Sequence, residues 1–204
     1  MSILFPDTPQ LYKNRYFLMR HGHSQANAQQ LIISTPERGL AAYGLSDQGE
    51  AQLKDVLANW QWPAPTRILH SDFLRTTETA RRVAIHFGLG LQPEPRLRER
   101  HFGTLEGLSD QHYHDVWRHD EHNPEHREYG VESVASVAAR MQGVVASLES
   151  ALSGETVLLV SHGDPLQIML TALEGRLLSE HRQRESLLPA SITLLGQLSD
   201  AGFG

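Results

Sequence analysis

Four short apolar runs, separated by stretches of helical periodicity, constrain what this chain can fold into more than any other feature. Tyr16 to Met19, Arg67 to His70, Thr156 to Val160 and Ser191 to Leu195 are short, apolar and partly β-branched, as strands covered on both faces are. A fifth strand is placed near Leu89 to Gln92. Between these runs the apolar spacing changes to the helical period. Ser46 is placed as the cap of a helix through Trp60, with Leu53, Val56, Leu57 and Trp60 on one face. Asp72 is placed as the cap of a second, running to Phe87 with Leu74, Thr77, Ala80 and Ala84 inward. A third runs from Ser133 to Leu152, and Asp164 starts a fourth with Pro165 at the first helical position, where a missing N–H costs nothing. Strands alternating with helices imply a mostly parallel sheet covered on both sides, a three-layer α/β/α sandwich.

The chain has 204 residues, which reads as one domain over 1–204. Residues 98–130 break the alternation. They hold "SDQHYHDVWRHDEHNPEHREYG", polar and rich in histidine and aromatic residues, and are read as a partly helical cap over one end of the sheet. There is no cysteine, so disulfides and thiol chemistry are excluded. A net charge of −6 argues against nucleic acid or an anionic membrane as the main partner. No apolar stretch reaches the roughly 18 residues a membrane span needs. The first residues show neither a basic lead nor a long apolar region, so no signal peptide is expected and a cytoplasmic location is the default.

The unusual polar residues fall at the strand ends. Arg20 and His21 follow the first strand; Ser71, Asp72 and Arg75 follow the second; Ser161, His162 and Gly163 follow the fourth. In a parallel sheet these ends share one edge, the place where open α/β folds bind ligands. Two arginines and two histidines would then meet two helix N-termini, whose N–H groups favour anions. Gly22 and Gly163 would let backbone approach the ligand. Such a pocket fits a phosphoryl group, with one histidine as nucleophile and the other stabilising charge. Glu99 in "LRERHFGTLEG" is the best candidate for the acid that a leaving group needs.

His21-x-His23 also invites a metal reading, as in (β/α)₈ hydrolases, but such barrels need about 250 residues. The adjacent Arg20 would also oppose a cation. His112, His114, His119, His122 and His126 lack the tight ligand pairs of a zinc site and read as a solvated face. Ser161, His162 and Asp164 are too close in sequence to form a hydrolase triad.

Several stretches, in order, resemble the histidine phosphatase superfamily, the phosphoglycerate mutase-like fold. Arg20-His21-Gly22 with Ser24 and Asn27 is similar to its R-H-G-x-[ST]-x-x-N signature. "LSDQGEAQL", "SDFLRTTETA", "LRERHFGTLEG", "VES" and "VSHG" resemble its later blocks and span nearly the whole chain. The resemblance implies a phosphomonoester hydrolase that needs no metal or cofactor. His21 would carry the phosphoryl group; Arg20, Arg75 and His162 would bind it; Glu99 would be the acid and then the base. Asn27 belongs to the same pocket, and Ser24, His23 and Gly163 would border the substrate, a small molecule. His23 stands where family members often carry Glu, Gln or Lys, and Leu105 where many carry Trp. "GVES" has one residue more than the family's G-E-S. The cap is shorter than in true phosphoglycerate mutases, which favours a phosphatase over a mutase. A silent binding module of the same fold is the rival of another class.

Overall fold

The computed structural model describes residues 12–195. Strands β1 (Arg15–Arg20), β2 (Arg67–His70), β3 (Gln92–Pro93), β4 (Thr156–Ser161) and β5 (Ile192–Leu194) form one sheet in the order β3-β2-β4-β1-β5. All pairs are parallel except β1 with β5. The helices among the described residues are α1 (Gln25–Ala28), α2 (Pro36–Gly39), α3 (Asp47–Ala58), α4 (Leu74–Phe87), α5 (Tyr113–Asp120), α6 (Val134–Ala151) and α7 (Gly163–Leu173).

The continuous apolar strands serve two cores at once, because successive side chains leave a strand on opposite faces. Tyr16, Leu18, Val157 and Leu159 join Val134, Val137 and Met141 of α6 and Leu166 and Met169 of α7. Phe17, Met19, Leu158 and Val160 join Leu53 of α3 and Ala80, Val83 and Ala84 of α4. The sheet is therefore sandwiched between two helical layers. Each fully buried aliphatic side chain in them contributes about 1.5–3 kcal/mol.

Ser46 and Ser133 cap α3 and α6 as the sequence implies. Elsewhere the boundaries move, each for a local reason. Phe73, not Asp72, precedes α4, because the Asp72 carboxylate takes both arms of Arg98 at 2.7 and 2.6 Å. The buried face of α4 shifts with it, to Arg75, Thr76, Thr79, Ala80, Val83 and Ala84. Helix α7 begins at Gly163, so Pro165 is its third residue; that is still within the first turn, where no N–H is required. The fifth strand lies at Gln92–Pro93, because α4 closes on Gly88 at φ 66° and Leu89 N–H still bonds Ala84. Leu89 and Leu91 pack on the second core instead.

The cap folds around α5 with 3-10 turns at Gly103–Leu105, Asp110–His112 and Glu128–Gly130. It has a small core of its own: Ile32, Phe102, Leu105, Val116 and Val131. Ile32 belongs to the segment after β1, and its backbone bonds Leu108 and Gly107 at 2.9 and 2.7 Å. Glu106 secures the same seam by accepting Ser34 N–H and Oγ–H, both at 2.7 Å.

Helix α3 braces the loop after β1. Ser46 Oγ accepts Gly49 N–H at 3.2 Å and donates to the His23 carbonyl at 3.2 Å, while His23 N–H donates to Gln52 Oε1 at 2.9 Å. A Cβ on Gly49 would lie 2.1 Å from the His23 oxygen, whereas one on Gly90 would meet nothing within 4 Å. Gly49→Ala should therefore lose about 3 kcal/mol of stability by overpacking. Gly90→Ala should stay within about 0.5 kcal/mol. Urea unfolding of the two variants measures the difference, and equal midpoints would disprove the brace.

Candidate active site

Three parallel strand ends deliver the site. The register sets Arg20 beside Ser161 and His70 beside Val160, so β1, β2 and β4 finish together. His21, Ser71 and His162 come next in the chain, and α4 and α7 start at the same edge.

His21 is buried, and its tautomer follows from its neighbours. Arg75 Nε–H points at His21 Nε2 at 3.2 Å, and a guanidinium can only donate. Nε2 therefore holds a lone pair, and Nδ1–H donates to the Gly22 carbonyl at 2.7 Å. Burial, then Arg75 and Arg20, hold the His21 pKa well below the ordinary histidine value. Gly22 N–H donates to Thr79 Oγ of α4 at 3.1 Å, which ties the loop to the helix carrying Arg75.

Arg75 is fixed by the Ile33 carbonyl at 2.9 Å and lies 3.6 Å from Glu99. Arg20 donates to the Leu187 carbonyl at 2.6 Å. Its guanidinium lies against Gly163, where an added Cβ would come within 3.3 Å of Nε. His162 packs edge-on to His21, with ring centroids 5.2 Å apart. Ser71 Oγ accepts Phe73 N–H at 3.4 Å and is free to donate to His162 Nε2 at 2.8 Å. That leaves His162 Nδ1–H turned toward Glu99, 3.7 Å away. Burial and Arg75 keep this ring neutral as well. Among the described residues, Arg20 Nε, Arg75 Nη1 and His162 Nδ1 are buried without a hydrogen-bond partner. Buried donors are rarely left so, and an anion at this edge would satisfy them.

Glu99 sits between Arg75 and His162, with Oε1 accepting Arg100 N–H at 3.0 Å. Burial raises its pKa to about 7, Arg75 opposing and the Asp164 charge reinforcing the rise. Its backbone belongs to no strand or helix. Arg140 of α6 holds it by donating to the carbonyls of Arg96, Arg98 and Glu99 at 2.6, 2.9 and 3.2 Å, and Glu132 anchors Arg140 at 2.8 Å.

Ser24 and Asn27 form a capping box on α1. Asn27 Oδ1 accepts Ser24 N–H and Oγ–H at 3.0 and 2.9 Å, which leaves the two Nδ2 hydrogens uncommitted among the described residues. His23 has its Nδ1 on Ser46 Oγ at 2.7 Å, within the α3 brace. Of the cap histidines, His112 pairs with Asp115 at 2.8 Å and His126 with Asp120 at 2.6 Å. No group of three such side chains among the described residues could hold a metal ion. No helix there is long and apolar enough to cross a membrane.

Sequence reasoning missed the supports. Glu132 could have been suspected from the "GVES" block, which the structure places at the α6 N-terminus, whereas Arg140, further along α6, left no signal. Tyr113, whose ring lies against Phe102 and Trp117 with centroids 4.8 and 5.3 Å apart, left no signal.

Fold and pocket together define a class: an α/β protein whose parallel strand ends gather two arginines, a glutamate and two histidines, one of them with its Nε2 lone pair turned to a guanidinium. A model of the histidine phosphatase superfamily (branch 1) matches residues 16–202, and the chain belongs to that family. It is 32% identical to a probable phosphoglycerate mutase GpmB of Enterobacter sp. (strain 638) over 78% of this chain and 74% of that one. A mycobacterial glucosyl-3-phosphoglycerate phosphatase superposes with a TM-score of 0.74 at 25% identity, covering 88% of each chain. A structure described as mycobacterial hydrolase 1 gives a TM-score of 0.76 at 26% identity, over 88% of this chain and 90% of that one.

The hydrogen bonds and the lowered pKa predict that ¹⁵N spectra will show His21 as the neutral Nδ1–H form at the usual histidine midpoint of about pH 6.5. An imidazolium signal at that pH would contradict the assignment.

Proposed function

We propose that the protein hydrolyses phosphomonoesters in two steps, through a phosphohistidine on His21. The observation that carries this reading is the His21 Nε2 lone pair, held by Arg75 at 3.2 Å beside three unpartnered buried donors. In the first step Nε2 attacks phosphorus and the P–O bond to the leaving group breaks. The bond's electron pair departs with that oxygen, which takes the Glu99 proton. In the second, Glu99 removes a proton from water as the water oxygen bonds phosphorus. The P–N bond then breaks and returns its pair to His21. Arg20, Arg75, His162 Nδ1–H and the Asn27 amide bind the transferring oxygens, so fixed charge and positioning supply most of the acceleration. A metal ion is not needed for that task, and one placed here would lie against two guanidinium groups. The substrate is a small-molecule phosphomonoester.

Turnover of p-nitrophenyl phosphate in excess EDTA is the first test, and loss of activity to EDTA would refute the metal-free mechanism. Radiolabelled phosphoenzyme should be acid-labile in the unsubstituted protein and absent from His21→Ala. Failure to turn over any of a broad panel of phosphoesters would favour the binding module.

The acid form of Glu99 exists below about pH 7. For an alkyl phosphate, kcat/KM should therefore fall as pH rises through that value. Glu99→Gln should remove this limb and lower the rate by about a hundredfold, within the usual range for a general acid. A profile unchanged by the substitution would assign the proton to another group.

The relatives' name favours phosphoglycerate mutase as a second reading. Interconversion of phosphoglycerates faster than release of inorganic phosphate would support it over the hydrolase.

A further inference from the structure

Six ionisable side chains gather beneath the cap, outside the phosphate pocket: Arg100, Asp120, His126, Asp164, His181 and Arg182. Arg100 is fully buried and forks onto Asp120 at 2.7 and 2.8 Å, with Asp164 at 3.4 Å from the same guanidinium. Its Nε donates to the Glu132 carbonyl at 2.8 Å. His126 accepts Glu128 N–H on Nδ1 at 3.2 Å, so its Nε2–H donates to Asp120 at 2.6 Å. His181 differs. Its Nδ1 faces the Leu178 carbonyl at 3.0 Å, and its Nε2 lies 3.5 Å from Asp164 and 3.7 Å from Asp120. Nδ1–H donates to that carbonyl, and Nε2 is buried between the two carboxylates without a partner within hydrogen-bond distance. Arg182 approaches Asp164 at 3.5 Å and lies over the Trp117 ring of α5 at 3.7 Å.

These groups come from the residue after Glu99, the cap, the first turn of α7, and the turn at Leu178–Gln183. Buried ionic clusters add little net stability, because desolvation offsets their attraction. An apolar set of similar volume would hold the cap at least as firmly. What a guanidinium–carboxylate fork adds is a single allowed orientation. Arg100 is also the residue whose N–H holds Glu99 Oε1.

We propose that the Arg100–Asp120–His181–Asp164 cluster is a positioning device for Glu99. It locks the cap and α7 to the residue that follows the acid, and so sets the reach of the carboxyl to the leaving oxygen. The Asp164 charge also favours the protonated form of Glu99. This inference rests on the phosphatase reading above.

The test separates proton delivery from the rest of catalysis. p-Nitrophenolate leaves without protonation, whereas an alkoxide such as that of glycerol phosphate does not. In His181→Gln, the first-turnover burst of p-nitrophenolate should stay within about twofold. First-turnover phosphorylation by glycerol phosphate should fall tenfold or more, part of the full contribution of a general acid. Asp164→Asn, isosteric with the native residue, carries the same comparison if His181→Gln does not fold. Equal losses on both substrates, or no loss on either, would overturn the proposal. No phosphoenzyme from the unsubstituted protein would instead sink the phosphatase reading, and this inference with it.

Discussion

The parallel pairing of β1, β2 and β4 is the constraint on which everything else depends. Residues 20, 75 and 162 are far apart in sequence, and they meet because three parallel strands finish on one edge. Burial alone does not set that register. Both faces of β1 and β4 are apolar, so a one-residue slip would exchange one set of aliphatic side chains for another. Polar ends supply the missing specification. Ser161 Oγ donates to the Leu97 carbonyl at 2.7 Å, and the Ser161 carbonyl accepts His21 N–H at 3.0 Å. The residues that mark the site thus also fix the alignment that creates it.

The pocket is costly to fold. Arg75 is buried with Glu99 as its nearest carboxylate, and at neutral pH that carboxyl is largely shared between its two protonation states. Phe73 offers its ring face to the guanidinium at 5.2 Å, a weak compensation. Positive charge therefore exceeds negative charge inside a desolvated space. Such unbalanced sites are found where function needs them, and their instability is offset in the packing elsewhere.

The sequence was most informative where one physical rule dominates. Strand runs, the Ser46 and Ser133 caps and the polar strand ends each follow from local chemistry, and they place Arg20, His21, Arg75 and His162 on one edge without any knowledge of tertiary structure. It was least informative where a distant partner decides. Asp72 looks like a cap until Arg98 takes its carboxylate. Nothing near His23 in the chain announces that Ser46, 23 positions away, holds its Nδ1. The residues beside Arg100 in the chain do not mark it as buried, yet it is completely buried because Asp120 arrives from the cap. Long-range ion pairs have no periodicity, so no pattern along the chain announces them.

The suspension of residues 96–99 from Arg140 bears on how the molecule breathes. A segment that is only the end of a short 3-10 turn (Pro95–Leu97) and irregular backbone after it would ordinarily open with the loops around it. Here one guanidinium on α6 replaces the ladder that a strand partner would provide. Local opening free energies follow such attachments rather than secondary-structure labels. The acid-bearing segment therefore belongs to the same cooperative unit as α6 and the sheet. The Arg100–Asp120 fork carries that unit on into the cap, so residues 103–130 are tied to the same floor and not only to one another.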